Sequence, residues 1–257
     1  LASEPPEWPP DRAEQGRLRG AVELAGVTFR YQPTMRPVLD EISFRIEPSE
    51  LVAIAGHSGS GKSTIIRLLV GFEEPEEGSV LYDGQHLSSL DLEAVRRQLG
   101  VVLQEGQLIP GTVRENLAGV ASVTEQEAWE LAEVVALADE IRAMPMGMDT
   151  MITFNGGAFS GGQRQRLLIA RALAGRPRIL LLDEATSSLD NVSQRVITEN
   201  LAQLGMTRIV IAHRLSTLVG ADRILVMDRG RVVEQGTYEE LTSREGHFHR
   251  LALRQML

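Results

Sequence analysis

The sequence predicts an α/β fold in which short buried strands lead into helices. Residues 51–55 form an apolar run of strand length, and a glycine-rich turn separates this run from an apolar, helix-periodic segment over residues 64–70. Residues 178–182 form a second run of strand length that is apolar after Arg178, and a helical pattern follows over residues 191–204. Short, uninterrupted apolar runs are typical of parallel strands that helices cover on both faces.

The N-terminal region has a different pattern. Residues 21–30 and 38–46 alternate between apolar and polar side chains, and residues 79–82 resemble another short strand before an Asp83-Gly84 turn. This alternation predicts antiparallel strands with one face in the core. Residues 1–20 contain prolines among charged residues, so we expect a linker there.

Residues from about 88 to 165 read as mostly helical, which predicts a helical subdomain inserted into the α/β core. A capping box starts one of its helices, which we expect over residues 124–139. A strand over residues 208–212, a hairpin around residues 228–230 and an amphipathic helix over residues 238–254 complete the predicted order.

Composition excludes several functions. The 257 residues carry a formal net charge of −9 and a pI near 5.2, so a basic footprint for nucleic acid is lacking. The sequence has no cysteine, which excludes disulfides and thiolate chemistry. No apolar run approaches the roughly 20 residues that a membrane-spanning helix needs.

Residues 56–64 read Gly-His-Ser-Gly-Ser-Gly-Lys-Ser-Thr and match the phosphate-loop pattern G-x-x-x-x-G-K-[ST]. Glycines let backbone N–H groups point at a triphosphate, and the following helix N-terminus adds partial positive charge. The competing interpretation is a glycine-rich turn with an incidental lysine, but the flanking strand and helix favour phosphate binding. The predicted ligands are Gly56, Ser58, Gly59, Ser60, Gly61, Lys62, Ser63 and Thr64, with Lys62 on the β- and γ-phosphates and Ser63 on Mg²⁺.

Two carboxylates follow the second apolar strand. Asp183 and Glu184 stand at its carboxyl end, which in an open α/β sheet lies beside the phosphate loop. Asp183 is predicted to hold the Mg²⁺ shell, and Glu184 to polarise a water against the γ-phosphate. The alternative is a solvated Asp-Glu pair at the start of a loop, which the preceding apolar run disfavours.

A second anion site is predicted at residues 160–163. Ser160 and Gln163 have the spacing of a capping box at the head of a helix, and Gly161 and Gly162 expose their amides there. A chain with one phosphate loop does not obviously need two such sites. The economical explanation is that this second site serves a nucleotide held by another copy of the chain.

Taken together and in this order, the motifs resemble the ATP-binding domain of ATP-binding cassette (ABC) transporters, over nearly all of residues 20–255. Four further residues match family positions: Tyr31 as the adenine-stacking aromatic residue, Gln104 in the glutamine loop, Asp190 in the D-loop and His213 as the switch histidine.

The resemblance implies a phosphate-loop NTPase core with an N-terminal antiparallel β-subdomain and a helical subdomain at about 88–165, all within an ATP-binding domain over 21–257. ATP and Mg²⁺ are the implied cofactors. The residues implied in catalysis are Glu184, His213, Gln104 and Lys62; those implied at the metal are Ser63, Gln104 and Asp183; those implied at the nucleotide of the other copy are Ser160, Gly161, Gly162 and Gln163.

The implied partners are a second ABC ATP-binding domain and a membrane domain that this chain does not contain, at the cytoplasmic face of the cell membrane. Leu1 stands where a complete protein would begin with Met, so we expect a fragment or a processed chain. Residues 111–117, 213–217 and 236–241 resemble exporter motifs, and residues 141–148 resemble exporters of bacteriocin or lanthipeptide-type peptides.

Two departures from the exporter pattern stand near the signature. Phe154 occupies the position where exporters usually carry Glu against the membrane domain, and Phe159 replaces the usual Leu. Two other interpretations compete. A soluble ABC ATPase of DNA repair or chromosome structure would carry coiled coils or zinc modules, which the sequence lacks. A domain that binds ATP without turnover would not need Glu184, Gln104 and His213 intact.

Overall fold

The computed structural model describes residues 16–153, 159–186, 188–212 and 214–256. Twelve strands lie in these residues: β1 (Val22–Phe29), β2 (Leu39–Ile46), β3 (Leu51–Gly56), β4 (Glu77–Tyr82), β5 (Gln85–His86), β6 (Leu99–Val102), β7 (Gly111–Thr112), β8 (Met151–Ile152), β9 (Ile179–Asp183), β10 (Thr207–Ile211), β11 (Arg223–Asp228) and β12 (Arg231–Gly236). The α-helices of the same residues are α1 (Lys62–Val70), α2 (Leu92–Arg96), α3 (Val113–Ala118), α4 (Glu125–Val134), α5 (Ala138–Arg142), α6 (Gly161–Leu173), α7 (Asn191–Gln203), α8 (Leu215–Val219), α9 (Tyr238–Thr242) and α10 (His247–Met256), with 3₁₀ turns at Leu87–Ser89 and Gly147–Asp149.

The central sheet has six strands in the order β12-β11-β3-β10-β9-β6. Neighbouring strands are parallel except for β12, which pairs antiparallel with β11. Every residue of β3, β9 and β10 is buried, as the apolar runs within these strands predict. The α/β prediction is confirmed.

Alternate side chains of these strands enter two separate cores. Ala53, Leu182 and Val210 face a core that helices α3 to α7 complete. Ile54 and Ile209 face the opposite core, which α1 and the N-terminal sheet complete. The sheet therefore holds the phosphate-loop helix on one face and the helical segment on the other.

The N-terminal strands form the predicted antiparallel sheet, in the order β2-β1-β4-β5. Asp83 and Gly84 connect β4 to β5 with φ values of 50° and 81°, the two positive angles of a type I′ hairpin turn. Residues 16–20, at the end of the predicted linker, pack onto this region: Leu18 is buried, and its N–H donates to Gln98 Oε1 at 2.7 Å.

The segment predicted to be mostly helical also contributes to the central sheet. Residues 99–102 form β6, the edge strand beside β9. Periodicity alone does not separate such a short apolar run from a buried helical turn, and pairing with β9 decides the outcome. The remaining helices of the segment are short, so the boundaries of a helical subdomain stay a prediction.

Two predicted helices are interrupted. The helix predicted over 124–139 ends at Val134, because Ala136 adopts a left-handed φ of 53°. The N–H of Leu137 donates to Ala132 O, five residues earlier, a hydrogen bond typical of helix C-termini. Leu137 itself is fully buried. No glycine marks this turn, so its cause is the tertiary burial of Leu137.

The C-terminal helix predicted over 238–254 is divided into α9 and α10. The carboxylate of Glu234 accepts the N–H groups of His247 and Phe248, at 2.5 and 3.0 Å, and so starts a second helix. Phe248 is fully buried, which explains why the chain turns there. Among the described residues, we find no helix with the length and apolarity of a membrane span.

Candidate functional site

The phosphate loop joins β3 to α1, as predicted. Gly56, Gly59 and Gly61 have φ values of 155°, 76° and 101°, a region that glycine alone populates freely. A Cβ on Gly56 would lie 2.4 Å from Met227 O, and one on Gly61 would lie 2.9 Å from Val38 O. Backbone packing on both sides therefore requires glycine, and the loop keeps its amides rather than side chains on its inner surface.

The first turn of α1 has the properties of an anion site. Its N-cap is Gly61, which makes no side-chain capping hydrogen bond, and the turn contains no acidic residue. The N-terminal N–H groups of a helix lack intrahelical partners, so they can bind an anion. Ser60 Oγ is also buried without a hydrogen-bond partner among the described residues, which fits a loop that receives acceptor atoms from a ligand.

The side chain of Lys62, near the end of the loop, reaches back to the first two residues of the loop. Its Nζ donates to Gly56 O and His57 O, each at 2.9 Å. Burial lowers the pKa of Lys62, while the charges of Glu184 and Asp183 raise it. Both acids therefore lie close enough to act on the ammonium, and a phosphate would add further negative charge beside it.

Tyr31 lies next to the loop, as its predicted role requires. Its hydroxyl is 3.1 Å from Thr64 Oγ1, and its ring meets that of Phe29 edge-on, with centroids 4.9 Å apart. The side chain is 48% exposed, so a ring surface remains open to a base. Adenine stacking on this surface stays a prediction.

Glu184 and Gln104 are brought together by the sheet. Asp183 ends β9 and is buried, and Glu184 follows with a left-handed φ of 54°. Gln104 comes from the loop after β6, and its Nε2 donates to Glu184 Oε2 at 3.3 Å. A bulky residue at positive φ is uncommon and is frequently functional. Glu184, the predicted base, and Gln104 therefore lie side by side, close to Lys62.

The oxygen atoms here suit Mg²⁺. Ser63 supplies a hydroxyl and Asp183 a carboxylate, and Mg²⁺ is usually held by one or two protein ligands together with substrate phosphates and waters. Among the described residues no cluster of three His, Cys, Asp or Glu could hold a metal by itself. When bound, the ion would neutralise charge on the β- and γ-phosphates.

The signature residues begin α6, and their capping box is present as predicted. Ser160 Oγ accepts the Gln163 N–H at 3.2 Å, and Gln163 Oε1 accepts the Ser160 N–H at 2.7 Å. Gly161 and Ser160 are exposed. Among the described residues, no hydrogen bond joins this helix start to the phosphate loop of the same chain. The helix start at Ser160 is therefore a surface separate from the phosphate loop, and anion binding there stays a prediction.

The structure places two of the remaining residues singled out in the sequence, Asp190 and Phe159. Asp190 caps α7: its Oδ1 accepts the N–H groups of Val192 and Ser193, at 3.0 and 2.9 Å. Hydrogen bonds from Ser193 lower its pKa, and a nucleotide contact by Asp190 stays a prediction. Phe159 is buried in the core, so its replacement of leucine affects packing. His213 and Phe154 lie outside the described residues.

Gln165 joins two parts of the site and was not predicted from the sequence. Gln165 accepts the Ser188 N–H at 2.9 Å through Oε1, and its Nε2 donates to Glu184 O at 3.2 Å. It thereby connects the signature helix to the residues that follow β9. The sequence offered no clear signal for this role, because Gln165 is one of several polar residues in the first turns of α6. A cleft of about 450 Å³ lies between this helix and the loop that carries Gln104.

A phosphate loop on a doubly covered parallel sheet, with an acid pair at the next strand and a signature helix, defines an ATPase of the phosphate-loop class. Comparison with known proteins identifies the family. A family model described as ABC transporter matches residues 39–187. The chain therefore belongs to the ABC transporter family and is an ATP-binding, ATP-hydrolysing domain of that family.

Its relatives are larger proteins. The chain is 44% identical, over 99% of its length, to the ATP-dependent lipid A-core flippase of Burkholderia orbicola, and 46% identical, over 94%, to the cyclolysin secretion/processing protein CyaB of Bordetella pertussis. The structure of a bacterial Atm1-family ABC exporter with ATP bound superposes on 97% of this chain with a TM-score of 0.93 at 38% identity. The chain spans 44%, 34% and 44% of these three proteins, respectively.

Proposed function

We propose that this domain powers an exporter by closing onto a second copy of itself around two ATP molecules, each with Mg²⁺. In each site Lys62, Ser63, Asp183 and Glu184 come from one chain, and the signature comes from the other. Hydrolysis removes the γ-phosphate and releases the pair. A ligand shifts an open–closed equilibrium only through unequal affinity for the two forms, and the γ-phosphate supplies that difference.

One observation carries this proposal. The signature helix presents a capped N-terminus with exposed Gly161, while the phosphate loop of the same chain already has its own helix N-terminus at α1. If each chain has two anion sites but binds one nucleotide, both sites are used only when each nucleotide contacts one site from each of two chains.

The exporter function and its cargo are further parts of the proposal. The relatives are named for lipid A-core flipping, cyclolysin secretion and Atm1-family export, and this supports a membrane domain as the partner and the cytoplasmic face of the membrane as the location. A bacteriocin-like peptide cargo rests on residues 141–148 alone. Coding sequence upstream of Leu1 with six apolar segments would support the exporter, and its absence would count against it.

Two complementary variants test the shared site. Lys62→Ala removes the loop cation, and Ser160→Arg fills the signature, so each variant alone should hydrolyse almost no ATP. In a mixture, heterodimers contain one site with an intact loop and an intact signature, and some activity should return. Ser88→Arg, at an exposed serine of the 3₁₀ turn Leu87–Ser89, is the matched control and should stay active alone.

Protein concentration provides the second measurement. The ATPase rate per chain of the wild-type domain should rise with concentration, since two chains build each site. An inactive mixture together with a rate per chain that does not depend on concentration would refute the shared site.

A further inference from the structure

Glu140 lies in α5, outside every residue assigned to the nucleotide, yet its carboxylate reaches the start of the signature helix. Its Oε2 accepts a hydrogen bond from Gln163 Nε2 at 2.6 Å, and its Oε1 pairs with Arg166 Nη2 at 2.6 Å. One carboxylate therefore binds two residues of α6 that are three positions apart and so lie on the same side of the helix. Both bonds involve an ionised group, which makes them stronger than neutral ones.

The contact with Gln163 determines which way its side-chain amide points. The capping box requires the amide oxygen, Oε1, to face the Ser160 N–H. An ionised carboxylate only accepts hydrogen bonds, so Glu140 can bind only the NH₂ end of that amide. With the NH₂ group held by Glu140, the oxygen is left facing Ser160, as the capping box needs.

The signature helix differs from other capped helices of this chain in a way that makes this contact necessary. A glutamate at the third helical position has two equivalent oxygens, so either oxygen can accept the N–H of the capping residue. Its negative charge, however, would repel a phosphate placed at the helix N-terminus. Gln163 avoids the charge and instead depends on a neighbour for orientation. Three other capping boxes among the described residues use glutamate at this position: Thr112 with Glu115, Thr124 with Glu127, and Thr237 with Glu240.

Arg166 ties the same carboxylate to the turn between α4 and α5. Its Nη1 donates to Ala136 O at 2.5 Å, at the left-handed residue of that turn. The side chain of Arg166 is 9% exposed and that of Glu140 is 39% exposed, so the pair is sheltered from water more than an ordinary surface ion pair. The turn, Glu140 and the signature helix therefore form one connected unit.

We propose that Glu140 is a positioning residue for the signature: it holds Gln163, and Gln163 holds Ser160, so that the amides of Gly161 and Gly162 keep the geometry that receives the γ-phosphate of the other copy. This inference rests on the shared site proposed above. It predicts that Glu140 acts on the nucleotide of the partner chain and not on the nucleotide of its own chain.

The test places Glu140→Gln on either side of the complementary mixture. When it is combined with Lys62→Ala, the altered chain supplies the signature of the one working site, and the rate should fall about tenfold, below the roughly 10²-fold that a 1 Å misplacement can cost. When it is combined with Ser160→Arg, the altered chain supplies only a signature that is already destroyed, and the rate should equal that of the parent mixture.

Every heterodimer contains one Glu140→Gln in both arms, so a general loss of folding would lower both equally. Equal rates in the two arms, whether both reduced or both unchanged, would overturn the positioning role. A parent mixture without activity, together with a wild-type rate per chain that does not depend on protein concentration, would overturn the shared site, and with it this inference. Glu133→Gln, which alters an exposed acid of α4 paired with Arg142, is the matched control and should leave both arms unchanged.

A second readout uses single chains. Glu140→Gln alone should bind a fluorescent ATP analogue with wild-type affinity, because the phosphate loop of the same chain provides that binding, while its maximal ATPase rate falls. A loss of affinity equal to the loss of rate would contradict an action through the signature.

Discussion

Replacing Tyr31 with alanine removes two contacts and one exposed surface, and each has a separate expected cost. The ring packs edge-on against Phe29, a core residue that is 4% exposed, and the hydroxyl meets Thr64 Oγ1 at 3.1 Å. An aromatic pair contributes about 0.5–1.5 kcal/mol beyond its buried area. Because Tyr31 is 48% exposed, we expect a loss of folding stability of about 1 kcal/mol, near the middle of that range.

The expected effect on nucleotide binding is larger. Base–aromatic stacking is worth about 1–3 kcal/mol, so Tyr31→Ala should weaken ATP binding roughly 5- to 150-fold. Tyr31→Phe is the matched control, because it keeps the stacking surface and loses only the hydroxyl contact with Thr64. We expect its affinity to stay within about twofold of the wild type, an energy below 0.5 kcal/mol.

Titration with a fluorescent ATP analogue measures both affinities, and thermal unfolding without nucleotide measures both stabilities. The decisive comparison is between the two variants. If Tyr31→Ala lowered the melting temperature but bound the analogue as tightly as Tyr31→Phe, Tyr31 would be a packing residue and the stacking argument would fail.

Two further predictions concern catalysis and the core. Glu184→Gln should slow hydrolysis by roughly 10²–10⁴ while ATP stays bound and, with ATP, should trap a dimer visible by size exclusion; turnover near the wild-type rate would rule out Glu184 as the base. Tyr82→Phe should cost about 1–3 kcal/mol in urea unfolding, because the buried hydroxyl donates to Leu69 O at 2.6 Å, at the end of α1 where the helix offers that carbonyl no partner. Burial raises the pKa of Tyr82 and so keeps this donor protonated. Tyr238→Phe, at a partly exposed tyrosine, is the control and should cost less than about 0.5 kcal/mol. An equal loss of stability in both variants would show that the hydrogen bond from Tyr82 to Leu69 O is not the cause of the loss.

Much of the site could be predicted because its parts are local. The phosphate loop needs glycines at positions of positive φ between a strand and a helix, and all of these features lie within about twenty consecutive residues. The capping box of the signature and the acid pair at the end of β9 are equally local. Sequence therefore located each of these elements, and the parallel sheet then brought Asp183 and Glu184 close enough to affect the pKa of Lys62.

The amino-acid sequence by itself determined the α/β class, the nucleotide loop and the positions of the longer strands other than β6, because apolar periodicity and glycine positions act over short distances. Tertiary structure alone decided the end of α4 at Ala136, the edge pairing of residues 99–102 and the contact of Glu140 with Gln163. In each case the deciding partner is distant in sequence or is a buried side chain, and no local pattern encodes which distant groups will meet.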